Sequence, residues 1–153
     1  EFAVHKGALN IVTFDADGQH KVEDIRKLLY PLINNDASFV IGSRFKGDTS
    51  NMPLIKVIGN KILNYITFMM TGKLVSDSQS GLRGIKREMA KDIDLKCDKY
   101  AISSEFIMES KGFKLQEIPI KAIYDDYSAN KGTNVISGVK IFLKLVYKIL
   151  TEI

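Results

Sequence analysis

The sequence predicts an α/β chain, with a mostly parallel sheet flanked by helices in one domain over residues 1–153. Three observations predict it. Ile11-Val12-Thr13-Phe14 is a short apolar, β-branched run that stops at Asp15-Ala16-Asp17-Gly18, the pattern of a buried strand delivering two carboxylates to its C-terminal end. From Val22 to Ile33 the apolar residues Val22, Ile25, Leu28, Leu29, Leu32 and Ile33 keep helical spacing, with Glu23 and Asp24 near the positive end of the helix. Ser38-Phe39-Val40-Ile41-Gly42 is a second apolar strand, and the strand, helix, strand order with short connections implies a parallel βαβ unit.

The remaining elements follow in order. Lys46 to Asn51 is polar and contains Gly47, which reads as a loop. Pro53 suits the first turn of a long helix that runs to about Met70 and is closed by Gly72, with apolar residues all round it. Ser80 to Ile85 reads as a short strand or tight bend, Arg87 to Ile93 as a short helix, and Ser104 to Lys111 as another helix stopped by Gly112. Phe113 to Tyr124 is a further strand, in which Pro119 breaks the period of two and argues for an edge position or a bulge. The spacing predicts a basic amphipathic helix over residues 134–152, with Lys140, Lys144 and Lys148 every fourth residue opposite Ile141, Phe142, Leu145 and Ile149.

Composition narrows the function. With 45% hydrophobic and 26% charged residues, the chain is neither disordered nor collagenous. The single Cys97 cannot form an internal disulfide, and with two histidines it cannot build a Cys/His zinc cluster, so a reduced, cytosolic setting is expected. The net charge of +4 suits phosphate or an anionic membrane surface without choosing between them. The longest apolar stretch, residues 53–71, is interrupted by Lys56, Asn60, Lys61 and Asn64, which predicts a soluble or membrane-peripheral chain.

Several residues carry chemistry. Asp15 and Asp17, one residue apart at a strand end, either hold a hard divalent cation through oxygen or cap a turn. Asp77, in the polar turn Ser76 to Gly81, is either an Asx-turn residue or a working carboxylate. Arg44 and Arg83 end apolar stretches, where guanidinium groups suit bidentate phosphate recognition or pairing with a carboxylate. Glu105 reads as a surface glutamate.

Asp15-Ala16-Asp17-Gly18-Gln19-His20, followed by Glu23-Asp24-Ile25, resembles the metal-binding motif of GT-A glycosyltransferases of family 2, in the polyprenyl-phosphate branch typified by dolichol-phosphate mannose synthase. Val40 to Phe45, Gly59-Asn60-Lys61, Thr71-Gly72, Asp77 to Arg83 and Glu117-Ile118-Pro119-Ile120 are similar to that branch's successive blocks, so the resemblance covers essentially the whole chain. It implies transfer of a sugar from a GDP- or UDP-sugar to a polyprenyl phosphate at the cytosolic face of a membrane, with Mg or Mn as the divalent cation and no nucleic-acid partner. By similarity Asp15, Asp17 and Gln19 lie at the metal, and Asp15, Asp17 and Lys131 at the donor. Asp77 is the catalytic base or an orienter of the acceptor, Arg44 contacts the acceptor phosphate, and Arg83 supports the Asp77 loop. Lys131 belongs to a loop, Ser128 to Asn134, like the one that closes over the donor phosphates in the family.

The sequence departs from the pattern in two places. Lys56 stands where relatives often carry a second phosphate-binding arginine, which keeps it as an acceptor-phosphate contact with less geometric definition. The match also starts part-way through the family pattern, with residues 1–7 resembling the tail of a preceding helix. The expectation is a chain without the nucleotide-binding opening strands, with weak or no activity alone and a sheet edge open to homo-oligomerisation. Two other readings stay open: a non-catalytic module of the same fold that binds a membrane or partner chain, and a family 2 transferase with a soluble glycan acceptor.

Overall fold

The computed structural model describes residues 2–96, 101–121, 123 and 124. The expected helix of 134–152, the loop carrying Lys131, and Cys97 lie outside them. The described elements are α1 (Phe2–His5), β1 (Asn10–Thr13), α2 (Asp24–Ile33), β2 (Phe39–Asp48), α3 (Leu54–Thr71), β3 (Arg83–Lys86), α4 (Arg87–Asp92), α5 (Ala101–Glu109) and β4 (Leu115–Lys121). Gly72 ends α3 in the left-handed conformation, φ 67°, and its N–H caps the carbonyl of Phe68.

The sheet order is β1-β3-β2-β4, with β1 and β2 antiparallel to β3 and β2 parallel to β4. Three strands therefore point one way and β3 points the other. The expected β1-α2-β2 unit is parallel in direction, but its two strands do not pair: β3 is inserted between them. Antiparallel β3 returns along the sheet, and its first residue, Arg83, lies opposite Thr13 of β1 and Ile41 of β2. This one reversal brings the segment before β3 to the end of the sheet where β1 and β2 finish.

Alternation along β2 separates two apolar layers. Val40 packs with Leu28 and Leu32 of α2, Leu82, Ile118 and Ile120 on one face, while Phe39 and Ile41 pack with Ile85, Met89, Phe106 and Ile107 on the other. Helices cover both faces, the arrangement expected of an α/β sheet. In α5, residues 103–107 are all buried, because the helix lies between the sheet and α3, where Thr67 and Ser104 share a hydrogen bond of 3.0 Å. Glu105 is consequently fully buried, accepting the Lys96 N–H at 3.0 Å, and is not the surface residue its sequence suggested.

β2 is longer than expected: it continues through Gly47 to Asp48, where composition suggested a loop from Lys46. A register shift between Ser43 and Asp48 lets the strand stay beside β4, and Lys121 pairs with Asp48 at 2.9 Å. β4 is correspondingly short at both ends, and Pro119 sits on an outer strand as its missing N–H requires. A Cβ on Gly47 would lie 1.9 Å from the Ile120 carbonyl oxygen, a backbone atom with no room to yield. Gly47→Ala is expected to destabilise the chain by about 1–3 kcal/mol through forced separation of β2 and β4, read as a lower urea midpoint at unchanged slope. An unaltered midpoint would show that the two strands do not approach as closely as this.

Candidate active site

The C-terminal ends of β1, β2 and β4 and the segment leading into β3 converge at one end of the sheet, where open α/β sheets commonly place their ligands. Beyond β1, Asp15 is exposed and Asp17 half-buried. The Gln19 N–H donates to Asp17 Oδ1 at 3.1 Å, an Asx turn that fixes the loop. Thr13 Oγ1 donates to the Gly81 carbonyl at 2.9 Å, and a Cβ on Gly81 would meet the Asp15 carboxylate at 1.8 Å. Glycine at 81 is what allows the Asp15 carboxylate to lie against the turn that carries Asp77.

Asp77 is fully buried and faces Arg44, itself 8% exposed. Arg44 Nε donates to Asp77 Oδ2 at 2.7 Å and its terminal nitrogen to Oδ1 at 2.7 Å, while the Arg44 backbone N–H also donates to Oδ2 at 2.9 Å. The pair is bidentate, and the side chain of Asp77 is not the cap of its own turn. Burial alone would lower the pKa of the Arg44 guanidinium, but the facing carboxylate more than offsets this and raises it. Two of the three other Arg44 side-chain N–H groups reach Tyr124 Oη at 3.2 Å and Asn60 Oδ1 at 3.4 Å.

The Asp77 turn is held from two sides. Asn64 of α3 donates to the Ser76 carbonyl at 2.6 Å and accepts from the N–H and Oγ of Ser78 at 2.8 and 2.7 Å. Glu117 of β4 accepts from Ser76 N, Ser76 Oγ and Asp77 N at 2.8, 2.8 and 3.2 Å, and its other oxygen pairs with Lys46 at 3.2 Å. Arg83 makes a different contact from the one expected. It donates to Ser103 Oγ at 2.7 Å and stacks 5.2 Å over the Phe106 ring. Burial pushes its pKa down to about 10 against the fields of Asp15 and Asp77, so it adds positive charge beneath the two carboxylates without a direct bond to the turn.

Lys56 and Asn60, four apart on α3, face the same place. Lys56 Nζ lies 5.5 Å from the Tyr124 ring centroid, and Asn60 donates to the Lys56 carbonyl at 2.7 Å. Burial and then Arg44 lower the Lys56 pKa, with Asp17 opposing. His20 is buried beside Phe14, and burial followed by Arg44 lowers its pKa against the pull of Asp15, Asp17 and Asp77. The structure thus brings Asp15, Asp17, Gln19, Arg44, Lys56, Asp77 and Arg83 together. Sequence reasoning passed over the roles of Asn60, Asn64, Glu117 and Tyr124. For the two asparagines there was a signal, since 56, 60 and 64 fall on one helical face. The contacts of Glu117 and Tyr124 are made across 40 residues or more and left no local trace.

The family model for glycosyl transferase family 2 matches residues 6–94, more than half of the chain. The chain belongs to glycosyl transferase family 2. An uncharacterized protein of Methanocaldococcus jannaschii is 53% identical over 142 residues, covering 89% of this chain and 58% of that relative. The UDP-N-acetylglucosamine–dolichyl-phosphate N-acetylglucosaminyltransferase of Methanococcus voltae is 45% identical over 150 residues, covering 94% and 60%. The polyprenol monophosphomannose synthase of Mycolicibacterium smegmatis is 26% identical over 144 residues, covering 88% and 54%. The family 2 chain therefore spans a little over half the length of the curated relatives it matches.

The family 2 match takes in β1 through α4, and so all the site residues named above except Ser103, Phe106, Glu117 and Tyr124. Among the described residues no three His, Cys, Asp or Glu side chains form a cage for a cation. Asp15 and Asp17 instead offer the one or two carboxylates that a hard divalent ion takes when substrate phosphates complete its shell, a donor set that fits such an ion. Arg83 feels the field of Asp15 from its buried position, and Lys56 feels that of Asp17.

Proposed function

We propose that the family 2 chain forms the metal-side and acceptor-side part of a transferase that moves a sugar from a nucleotide-diphospho-sugar to a polyprenyl phosphate. The observation that carries the lipid acceptor is the orientation of α3. Its inner face bears Lys56, Asn60, Asn64 and Thr67, all engaged with the site or with buried partners. Its outer face bears Leu54, Ile55, Ile58, Ile62, Tyr65 and Met69, each 47–72% exposed. These six fall within a stripe roughly 100° wide, the reverse of an ordinary surface helix. An apolar stripe of this kind suits the headgroup and acyl boundary of a bilayer. A lipid phosphate lying there would need to cross only the thickness of α3 to reach Lys56 and Arg44. No helix of the described residues is long and apolar enough to cross a membrane.

In this reading the helix rests on the cytosolic membrane face. The acceptor phosphate, already largely ionised near neutral pH, forms the new bond from one of its oxygens to the anomeric carbon. The bond from that carbon to the nucleoside diphosphate breaks, and the negative charge leaves with the diphosphate. Mg or Mn held by Asp15 and Asp17, with Gln19 beside them, supplies neutralisation of that charge when bound. Lys131 joins the donor phosphates by its resemblance to the family loop. Since the acceptor needs little deprotonation, Asp77 acts by fixing Arg44, and Arg44 and Lys56 hold the phosphate. Association of two copies along the outer edge of β1, which pairs only with β3 among the described residues, belongs to the same reading.

Calorimetric titration of UDP- and GDP-sugars, with and without Mn, tests the donor side. The expected result is binding that requires Mn and is lost in Asp17→Asn. Metal-independent binding that Asp17→Asn leaves unchanged would remove Asp17 from the site. Extraction of labelled product into organic solvent separates a lipid acceptor from a soluble glycan.

A further inference from the structure

The donors of Arg44 are nearly all committed inside the protein. A guanidinium carries five N–H groups. Nε–H and one terminal N–H go to Asp77, the second hydrogen of that terminal nitrogen points to Asn60, and one on the other terminal nitrogen goes to Tyr124. One N–H is left. Arg44 by itself therefore cannot offer the two-pronged fork with which arginine usually grips a phosphate.

Tyr124 stands where the second prong is missing. β4 runs parallel to β2, so the chain leaving it emerges at the same sheet end as Arg44. The Ile123 N–H donates to the Gln19 carbonyl at 2.9 Å, which ties this segment to the loop of Asp15 and Asp17. The phenol oxygen of Tyr124 accepts from Arg44 at 3.2 Å, so its own proton is directed to another acceptor. Lys56 Nζ lies 5.5 Å from the centre of the same ring.

We propose that Tyr124 is an acceptor-site residue whose phenolic O–H, together with the last N–H of Arg44, forms a composite fork for a phosphate monoester beside Lys56. The assignment rests on the reading of an acceptor-phosphate site given above. It makes Tyr124 a determinant of acceptor affinity and leaves donor binding to the Asp15 and Asp17 loop. Asp77 is then the residue that withholds the other face of Arg44 and so imposes the need for a second donor.

Citronellyl phosphate, a short prenyl phosphate, tests this by calorimetry and by the ³¹P shift of the bound phosphate, with inorganic phosphate and citronellol as comparisons. Tyr124→Phe keeps the ring under Lys56 and removes only the hydroxyl. Its Kd for citronellyl phosphate is expected to rise about tenfold or more, the worth of one hydrogen bond to a charged group. The bound ³¹P shift should move, while Mn-dependent nucleotide-sugar binding stays as in the wild type. An equal weakening toward inorganic phosphate would support the fork and show that it reads the phosphate alone. Unchanged affinity and ³¹P shift in Tyr124→Phe, with the wild type binding normally, would overturn the role of Tyr124 but leave the acceptor site standing. Parallel loss of nucleotide-sugar binding would also overturn it, by showing a general structural role. If the wild type fails to bind citronellyl phosphate at all, both the inference and the acceptor reading fall.

Discussion

Asp77→Ala is expected to destabilise the chain by about 3–5 kcal/mol, the cost of leaving a buried charge without its partner. In the native chain Arg44 donates two side-chain hydrogen bonds of 2.7 Å to Asp77, and the Arg44 backbone N–H adds a third to the same carboxylate. Removing the carboxylate leaves a guanidinium, 8% exposed, whose side-chain acceptors among the described residues are Asn60 and Tyr124. The urea midpoint should fall sharply. Adding Arg44→Met to Asp77→Ala should restore much of the loss, because the methionine carries no charge to be desolvated and fills similar volume. A loss below about 1 kcal/mol for Asp77→Ala alone would mean that solvent reaches the pair, contrary to its burial here.

The second large effect is expected at the membrane. Burying an isoleucine side chain away from water stabilises by roughly 1.5–3 kcal/mol, so Ile58→Asp with Ile62→Asp should lower partitioning onto anionic liposomes by about a hundredfold or more. Both side chains are about half exposed in the free chain, 47% and 56%, so thermal stability should change little. Retained co-sedimentation would sink the proposed seating of α3 on lipid. Retention together with a loss of dimer in light scattering would assign the stripe to a second copy instead.

Much of this was legible from sequence where the signal is local. The β-branched run into Asp15, the helical spacing of α2, the glycine stop of α3 and the strand-breaking Pro119 each depend on neighbours within a few residues. The interruptions of the apolar stretch at Lys56, Asn60 and Asn64 were legible as well, but only as a reason to doubt a membrane span. In the fold they are the face that meets the site. Glu105 was misjudged because a lone glutamate in an apolar stretch normally seeks water. Here α5 is enclosed between the sheet and α3, and a backbone N–H satisfies the carboxylate.

The sequence by itself determined the order of strands and helices, the two carboxylates at the end of β1 and the family 2 pattern, because periodicity, turn residues and motif spacing are properties of short segments. The tertiary structure alone decided that β3 runs between β1 and β2, which brings Asp77 to Arg44, and that β4 lies beside β2, which brings Tyr124 to Arg44. The physical reason is separation along the chain. Arg44 and Asp77 are 33 residues apart, and Arg44 and Tyr124 are 80 apart. Such pairings arise only when sheet register and helix packing bring distant segments together, and the residues between them leave no mark of where they will meet.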